Sequence, residues 1–394
     1  METFTGWRRE TGRVGIRNRI AIIPVSVAVS AIAQEIATVA GPEVVATPHQ
    51  MGTDQTDVAR AQTERVLVGT GTNPNVGGAL IVALGTESIR ADAIADEITE
   101  VGTPVETLIV RDVGGTRAAV DVGSELAEGL RENAEEFSRT DADVSELILG
   151  VECGGSDATS GIASNPAVGN ACDRLIEAGG TACFSETPEF IGAEHILADR
   201  CVDEETRERL LERVERREAL AEIMGVSMRG AQPSPGNQEG GLTTIEEKSL
   251  GAISKGGTTP VRGMVDFAHP LPVGGGLVLM DTPGYDVESV VAKAAGGAQV
   301  MCFTTGRGST TGNPIAPVIK VTGNPETGRR MASNMDVDAS PIVRGASIES
   351  IGERIYETVC RVANGALTAA EQRGMYEYAI NELHPREIEA LGAP

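Results

Sequence analysis

The chain has 394 residues, enough for two or three domains that each bury their own core. Asp and Glu number 57 against 33 Lys and Arg, and the formal net charge is −24, which argues against binding to nucleic acid or to an anionic membrane. Only four of the 33 basic residues are lysine. An acidic, lysine-poor composition is typical of a cytoplasmic protein in high salt, where ions screen dense surface charge.

The first part of the chain alternates between strand and helix patterns. Four apolar, β-rich runs predict strands at residues 19–26, 44–47, 79–85 and 106–112. Amphipathic or polar patterns predict helices at residues 27–40, 58–70, 88–98 and 115–138. Continuous apolar runs bounded by glycine are typical of parallel strands buried on both faces. The alternation therefore predicts an α/β domain over residues 1–138.

A second unit repeats this alternation after an acidic stretch. Strands are predicted at residues 146–151, 181–186, 276–281, 298–305 and 316–323. Helices are predicted at residues 165–180, 203–224, 286–297, 352–364 and 368–381. The second predicted domain covers residues 139–394. The predicted fold class is α/β, with two domains of mainly parallel sheets, flanking helices and glycine-rich loops at the strand ends.

Five predicted strands end in loops of small and polar residues. The loops read PHQMGTDQ, ECGGSDATSG, SETPEF, DTPGYD and TTGRGSTTGNP. Ligands of open α/β sheets bind outside the carboxyl ends of the strands, where such loops meet. The sequence therefore predicts one composite site built from several loops. The patterns GxxxxGK[ST], GxGxxG, HExxH and paired CxxC do not occur, so no nucleotide or standard zinc motif is indicated.

Two residues in these loops could bind a ligand. His49 follows a predicted strand and stands near Asp54. A single histidine most often makes a structural hydrogen bond, but the strand-end position favours a ligand or a base. Cys153 lies between Glu152 and two glycines, and its thiol could be a soft metal ligand, a nucleophile or an inert small side chain.

Two of the four lysines lie seven residues apart, at Lys248 and Lys255. The preceding threonines and Glu246 or Glu247 fit a helix capping box, which would explain one glutamate but not the lysines. The surroundings of a lysine can lower its pKa enough for it to lose its proton, whereas arginine stays protonated in proteins. A chain that otherwise uses arginine has kept lysine here, which favours a group that binds a carboxylate or transfers a proton.

Several long segments, in this order along nearly the whole chain, carry a resemblance to a known family. They are GRVGIRNR, NPNVGGALIVALG, ECGGSDATSGIASNPAVG, SETPEFIGAEHIL, PSPGNQEGGLTTIEEKSLGAISKGGTTP, DTPGYDVES, FTTGRGSTTGNPIAPVIKVTGN and NMDVDA. With these motifs the chain resembles the altronate/galactarate dehydratases. One departure is that Thr53 and Asp54 stand where the family often has Cys-Gly after the His-x-x-Gly of its first loop.

The resemblance implies a hydro-lyase that removes water from an aldonate or aldarate and leaves a 2-keto-3-deoxy acid. It also implies a divalent metal, Fe²⁺ or Mn²⁺. A close branch, similar in length, eliminates sulfite from sulfolactate. In that branch and in split dehydratases a small N-terminal module is a separate polypeptide, so we expect a large subunit with a small partner and an oligomer. A third possibility is a sugar-acid-binding subunit without catalytic groups of its own.

Combined with the resemblance, the residue types suggest roles at one cation-centred site. Metal ligands are expected among His49, Cys153, Glu152 and Glu186. Acid–base roles are expected for Lys248, His49 and Glu247. Substrate binding is expected from Lys255, Arg307, Thr305, Ser156 and Asp157. Elimination next to a carboxylate needs a base, an acid and a cation that stabilises the enediolate, and this set could supply all three.

Overall fold

The computed structural model describes residues 3–382. The elements up to residue 143 are β1 (Thr3–Arg8), β2 (Val14–Gly15), β3 (Arg19–Pro24), α1 (Ser30–Ala40), β4 (Val44–Ala46), α2 (Asp57–Gly71), β5 (Val76–Ala83), α3 (Ala91–Glu100), β6 (Val105–Ile109), α4 (Thr116–Glu135) and β7 (Thr140–Asp143). Within these residues β3, β4, β5 and β6 form a parallel sheet in the order β4-β3-β5-β6. Helices α1 and α4 pack against one core, and α2 and α3 pack against another. This arrangement confirms the predicted α/β class for the first part of the chain.

The remaining elements build a larger sheet. They are β8 (Ile148–Cys153), α5 (Asn165–Glu177), β9 (Thr181–Phe184), α6 (Glu194–Ala198), α7 (Glu204–Ile223), α8 (Met228–Ala231), α9 (Pro235–Glu239), α10 (Ile245–Ile253), β10 (Val261–Val265), β11 (Gly276–Met280), α11 (Asp286–Ala295), β12 (Val300–Thr304), β13 (Val318–Thr322), α12 (Pro325–Arg330), β14 (Val337–Asp338) and α13 (Ile348–Ala363). The strand order over the described residues is β10-β11-β9-β8-β12-β13-β14, and every pair is parallel. Each residue of β8, β9, β11, β12 and β13 is buried, which explains their continuous apolar runs.

The order in which successive strands are added to the sheet reverses at β8. The chain runs from β8 to β9 and then to β10 and β11 on one side, whereas β12 pairs with the other side of β8. Such a switch leaves a crevice outside the carboxyl ends of the strands, where open α/β sheets bind ligands. The loops after β8, β9, β11 and β12 therefore start at neighbouring points along one sheet edge.

The two halves of the chain are joined through the GRVGIRNR segment. Strand β1 pairs antiparallel with β2 and β7. The guanidinium of Arg17 donates to the carboxylate of Glu371 at 2.7 and 2.8 Å, and Arg19 contacts the same carboxylate at 3.2 Å. Arg17 also donates to the main-chain oxygens of Val362 and Ala366. One buried carboxylate thus connects the start of the chain to the segment after α13.

The predicted helix at residues 368–381 is wrong. Only Glu371–Arg373 form a short 3-10 turn there. Gly374 follows with φ of 62°, a left-handed conformation that ends the turn. The Glu371 carboxylate also accepts from the main-chain N–H of Thr368, so this segment is organised around a buried ion pair and not around helix periodicity. No helix in the described part of the chain is long and apolar enough to cross a membrane.

Candidate active site

A cavity of about 420 Å³ opens at the carboxyl edge of the larger sheet. Loops that follow β8, β9, β11 and β12 contribute to its wall, together with α9 and α10. The residues that matter for its chemistry are Cys153, Ser156, Glu186, Glu189, Lys248, Asp286 and Arg307. Four of the five loops predicted to meet at one site therefore do so, and the one that carries His49 does not contribute to the lining.

Lys255 lies beneath the cavity and is completely buried. Its Nζ donates to Oε2 of Glu186 at 2.7 Å and to Oε2 of Glu189 at 2.6 Å. Burial disfavours the ammonium, but the two carboxylates outweigh that cost and raise the pKa of Lys255 well above its usual value. Burial and the neighbouring Glu152 raise the pKa of Glu186 to about 8. Burial and Glu186 also raise the pKa of Glu189.

A second buried ion pair lies next to the first. Nζ of Lys293 on α11 bonds to Oε2 of Glu152, the penultimate residue of β8. The same ammonium donates to the hydroxyls of Ser185 at 2.5 Å and Ser289 at 3.1 Å. The other oxygen of Glu152, Oε1, is buried and has no hydrogen-bond partner among the described residues. A buried carboxylate oxygen without a hydrogen-bond partner is unfavourable, and a bound cation would satisfy it.

The orphaned oxygen belongs to a cluster that fits a divalent cation. Glu152, Glu186 and Asp286 can each offer a carboxylate oxygen, and these atoms lie within 4.8 Å of one another. Burial, Glu186 and Glu189 raise the pKa of Asp286 to about 7. Near the four carboxylates of this region, Lys255 and Lys293 are buried, and the amine of Lys248 lies 3.7 Å from Glu189. A divalent cation would favour the ionised forms of Glu186 and Asp286. An all-oxygen donor set suits hard ions such as Mn²⁺ or Mg²⁺ and also accepts Fe²⁺.

Lys248 projects into the cavity from helix α10, and its side chain is 18% exposed. Its Nζ lies 3.3 Å from Oε1 of Gln232 and 3.7 Å from Oε1 of Glu189. The helix is held in place by a close crossing at Gly251, where an added Cβ would lie 2.9 Å from Cα of Gly161. Glu189 thus links the buried amine of Lys255 to the accessible amine of Lys248.

The β8 loop contributes Cys153, Ser156 and Asp157. The thiol of Cys153 is 2.8 Å from the hydroxyl of Ser156, and burial raises the pKa of Cys153 to about 11, so this group is a thiol at neutral pH. Asp157 is buried, and its Oδ1 accepts from the main-chain N–H groups of Thr159 and Ser160. Asp157 therefore shapes the loop, while Ser156 faces the cavity.

Arg307 and Thr305 lie in the loop after β12. Arg307 is at the rim of the cavity, where it bonds to the main-chain oxygen of Gly236 and pairs with Glu239 at 3.0 Å. It is partly exposed and can approach an anion in the cavity. Thr305 is buried, and its hydroxyl accepts from the N–H of Gly308 at 2.9 Å. Its contact stabilises the turn that presents Arg307.

His49 and Glu247 are engaged elsewhere. Nε2 of His49 is 2.8 Å from the oxygen of Pro24, and Nδ1 accepts from the N–H of Met51 at 3.2 Å. Burial lowers the pKa of His49 to about 4, so the ring is neutral and both nitrogens are used by the main chain. The Glu247 carboxylate bonds to the N–H and hydroxyl of Thr243 at the start of α10. These contacts give both residues structural partners.

Three residues of this candidate site were not predicted from the sequence. Glu189 and Asp286 lie in the quoted loops SETPEF and DTPGYD, but several acidic residues in those loops looked equivalent. Lys293 lies on a predicted helix, and its amine contacts the buried carboxylate of Glu152. The scarcity of lysine was the available signal, because all four lysines belong to the larger sheet or to the helices and loops around it.

Comparison with known proteins identifies the family. Residues 144–385 match the model of the D-galactarate/altronate dehydratase C-terminal domain, and residues 6–135 match the D-galactarate dehydratase/altronate hydrolase second domain. The chain belongs to the D-galactarate/altronate dehydratase family. It is 40% identical to the (2R)-sulfolactate sulfo-lyase subunit beta of Chromohalobacter salexigens, over 97% of this chain and 98% of that protein. It is 32% identical to the altronate dehydratases of Bacillus subtilis and Escherichia coli, over 96% and 95% of this chain and 77% and 76% of theirs.

Membership of this family makes the chain an enzyme. Its named relatives are dehydratases and a sulfo-lyase, all of them lyases. The resemblance noted in the sequence motifs is thereby confirmed at the level of family and reaction class.

Proposed function

We propose that this chain is the catalytic subunit of a lyase that releases sulfite from (2R)-sulfolactate and leaves pyruvate. The observation that carries this choice is the match to the sulfo-lyase subunit beta, which spans both chains almost completely at 40% identity. The cavity is compatible with a small dianion, because Lys248 and Arg307 line its wall above the two buried ammonium groups.

The reaction is a β-elimination. The C2–H bond breaks, the electron pair forms the C2–C3 double bond, and the C3–S bond breaks with its electrons on sulfite. The enol that remains gains a proton at C3 and loses its hydroxyl proton, which gives the keto acid. The C2 proton is weakly acidic, so a base and positive charge beside the carboxylate are both needed.

The carboxylates of Glu152, Glu186 and Asp286 would hold a divalent cation, Mn²⁺ or Fe²⁺. When bound, that ion supplies the positive charge that stabilises the enediolate. Asp286 and Glu186 would lose their protons on binding it, since burial keeps their pKa values at about 7 and about 8. The thiol of Cys153 is beside this cluster but is protonated, so carboxylates are the better ligands.

Lys248 is the residue that we propose to take the C2 proton. A lysine must first lose its own proton to act as a base, and Glu189 is a nearby acceptor with Oε1 at 3.7 Å. The raised pKa of Glu189 makes that transfer less unfavourable. Arg307 would bind the sulfonate or carboxylate at the rim, and the hydroxyl of Ser156 would donate to it.

The test is a panel of substrates. The chain, produced alone and together with a candidate small subunit, is loaded with Mn²⁺ or Fe²⁺ and incubated with (2R)-sulfolactate, altronate and galactarate. We expect sulfite and pyruvate in equal amounts from sulfolactate. Keto acid from altronate or galactarate, without turnover of sulfolactate, would refute the choice of leaving group.

A sugar-acid dehydratase is the second candidate. It is supported by the two altronate dehydratases that match 95% and 96% of this chain. The first half of the reaction is the same, but hydroxide leaves poorly and its departure needs an acid, whereas sulfite needs none. A separate small subunit is part of either proposal, and it is supported by the name "subunit beta" of the relative that matches over 98% of its length. Co-purification of the tagged chain with that subunit would test the association.

A further inference from the structure

The backbone of Glu186 is unusual for a residue with a side chain. Its φ of 70° and ψ of 66° place it in the left-handed region. Among residues 3–382, Ala268 is the only other residue besides glycines that has a positive φ. Such conformations persist only where the surroundings over-determine them, and they concentrate at functional sites. This one directs the Glu186 carboxylate back toward Lys255 and the N–H of Cys153.

The contacts that hold this turn come from the DTPGYD loop. The N–H of Glu186 donates to the hydroxyl of Thr282 at 2.9 Å, and the N–H of Thr187 donates to the oxygen of Thr282 at 3.2 Å. The hydroxyl of Thr187 donates to Oδ1 of Asp281 at 2.7 Å. The turn after β9 is therefore tied to the two residues that follow β11.

Asp281 is itself fixed by helix α7. Nε and Nη2 of Arg217 both donate to its Oδ1, at 3.1 and 2.9 Å, and Arg213 lies 3.8 Å from Oδ2. All three side chains are less than a tenth exposed. Arg217 and Asp281 line a separate cavity and are absent from the wall of the candidate active site, so the side chain of Asp281 acts on the site through its hydrogen bond with Thr187.

We propose that Asp281 is a positioning residue for the elimination. Fixed by Arg217, it holds the hydroxyl of Thr187 and thereby keeps Glu186 in its left-handed conformation, with the carboxylate directed at Lys255 and at the cation cluster. Its catalytic consequence rests on the proposed function, whereas its structural consequence does not. Groups that orient metal-binding residues commonly change metal affinity or activity by about 10–100-fold when they are removed.

Thr187 offers a matched pair of variants. Thr187→Val removes the hydroxyl and keeps the shape, and Thr187→Ser keeps the hydroxyl. We expect Thr187→Val to lower kcat and Mn²⁺ affinity by about 10–100-fold with little change in KM. We expect Thr187→Ser to keep kcat and Mn²⁺ affinity near their wild-type values. In crystal structures, the Glu186 carboxylate should leave Lys255 in the valine variant only. Asp281→Asn provides the same readouts if the valine variant does not fold.

Asp266→Asn is the control, because Asp266 pairs with Arg213 of the same helix at 2.8 Å without bonding to Thr187. If kcat and Mn²⁺ affinity fell equally in Asp266→Asn and Asp281→Asn, the cause would be a general effect on α7, and the proposal would be overturned. An unmoved Glu186 in Thr187→Val, with unchanged Mn²⁺ binding, would also overturn it. A wild-type protein that binds no Mn²⁺ and turns over no substrate would refute the proposed function instead, and the position of Glu186 in the variant crystals would still decide this inference.

Discussion

Lysine is used in this chain almost only where a compact ammonium must be buried or must reach the cavity. Lys255, Lys293 and Lys320 are completely buried, and Lys248 faces the proposed substrate. Arginine, which stays charged and forms broad bidentate contacts, serves the surface and the buried pairs with Asp281 and Glu371. The sequence indicated Lys248 and Lys255, because they stand close together. The scarcity of lysine was the one sequence signal for Lys293, but its contact with Glu152 depends on the packing of α11 against β8, which no spacing reveals.

The role of Lys248 can be separated from its charge. Lys248→Arg keeps a cation in the cavity but removes a group that can lose its proton. We expect kcat to fall about 10²–10⁴-fold in Lys248→Arg and also in Lys248→Met, with the thermal midpoint nearly unchanged. The measurement is steady-state turnover of the accepted substrate. Near-normal activity in the arginine variant would show that Lys248 acts only through its charge.

Cation binding should depend on pH. Asp286 and Glu186 hold protons up to pH values of about 7 and about 8, and a cation must displace those protons. We expect Mn²⁺ affinity to rise between pH 6 and pH 9, with protons released. Calorimetry in buffers of different ionisation enthalpy measures both. Glu152→Gln should abolish the binding, whereas an affinity independent of pH would contradict the proposed ligands.

At the scale of elements, the alternation of apolar runs and helical patterns was enough to predict most of both sheets. Edge strand β10 (Val261–Val265) was missed, because glycine and arginine interrupt its apolar run. Four site loops could be grouped from their positions at strand ends. His49 could not be excluded, since its hydrogen bonds to Pro24 and Met51 depend on local backbone geometry that no spacing reveals.

The same substitution should have opposite effects in two helices. Gly251→Ala places a methyl group 2.9 Å from Gly161 and should displace α10, so that both the thermal midpoint and kcat fall. Gly129→Ala in α4 meets nothing within 4 Å and should stabilise the protein by roughly 0.5–1 kcal/mol. Thermal denaturation and turnover of the two variants make the comparison. Unchanged kcat in Gly251→Ala would show that the crossing does not position Lys248.

At the scale of the whole molecule, the buried carboxylate of Glu371 joins Arg17 and Arg19 to the segment that follows α13. Burial raises its pKa, but the hydrogen bonds and charge of Arg17 and the N–H of Thr368 outweigh burial and lower the pKa below its usual value. A carboxyl whose pKa is lower in the folded state binds fewer protons there than in the unfolded chain. Its contribution to stability is therefore complete above the unfolded pKa and is lost as the pH falls through the folded pKa.

Removing the charge of Glu371 should lower the free energy of unfolding. Glu371→Gln leaves Arg17 and Arg19 buried without their shared carboxylate, and we expect a loss of roughly 3–5 kcal/mol in the free energy of unfolding at pH 7. The difference from wild type should shrink as the pH falls below about 4. Urea denaturation across pH measures it. Glu326→Gln, which breaks only exposed pairs with Arg329 and Arg330, should cost less than about 1 kcal/mol.

The burial of three lysines gives the molecule a selective reactivity. Among the four lysines, Lys248 is the one whose amine an acylating reagent can reach in the folded protein, since the side chains of Lys255, Lys293 and Lys320 are 0% exposed. Many enzymes carry dozens of surface lysines and tolerate succinimidyl esters or glutaraldehyde-treated supports. In this protein such reagents would instead react with Lys248 in the candidate active-site cavity. Covalent immobilisation should therefore use the surface carboxylates, because five of the six cysteines are buried and Cys153 lines the same cavity. A fluorescent acylating dye would report the accessibility of Lys248.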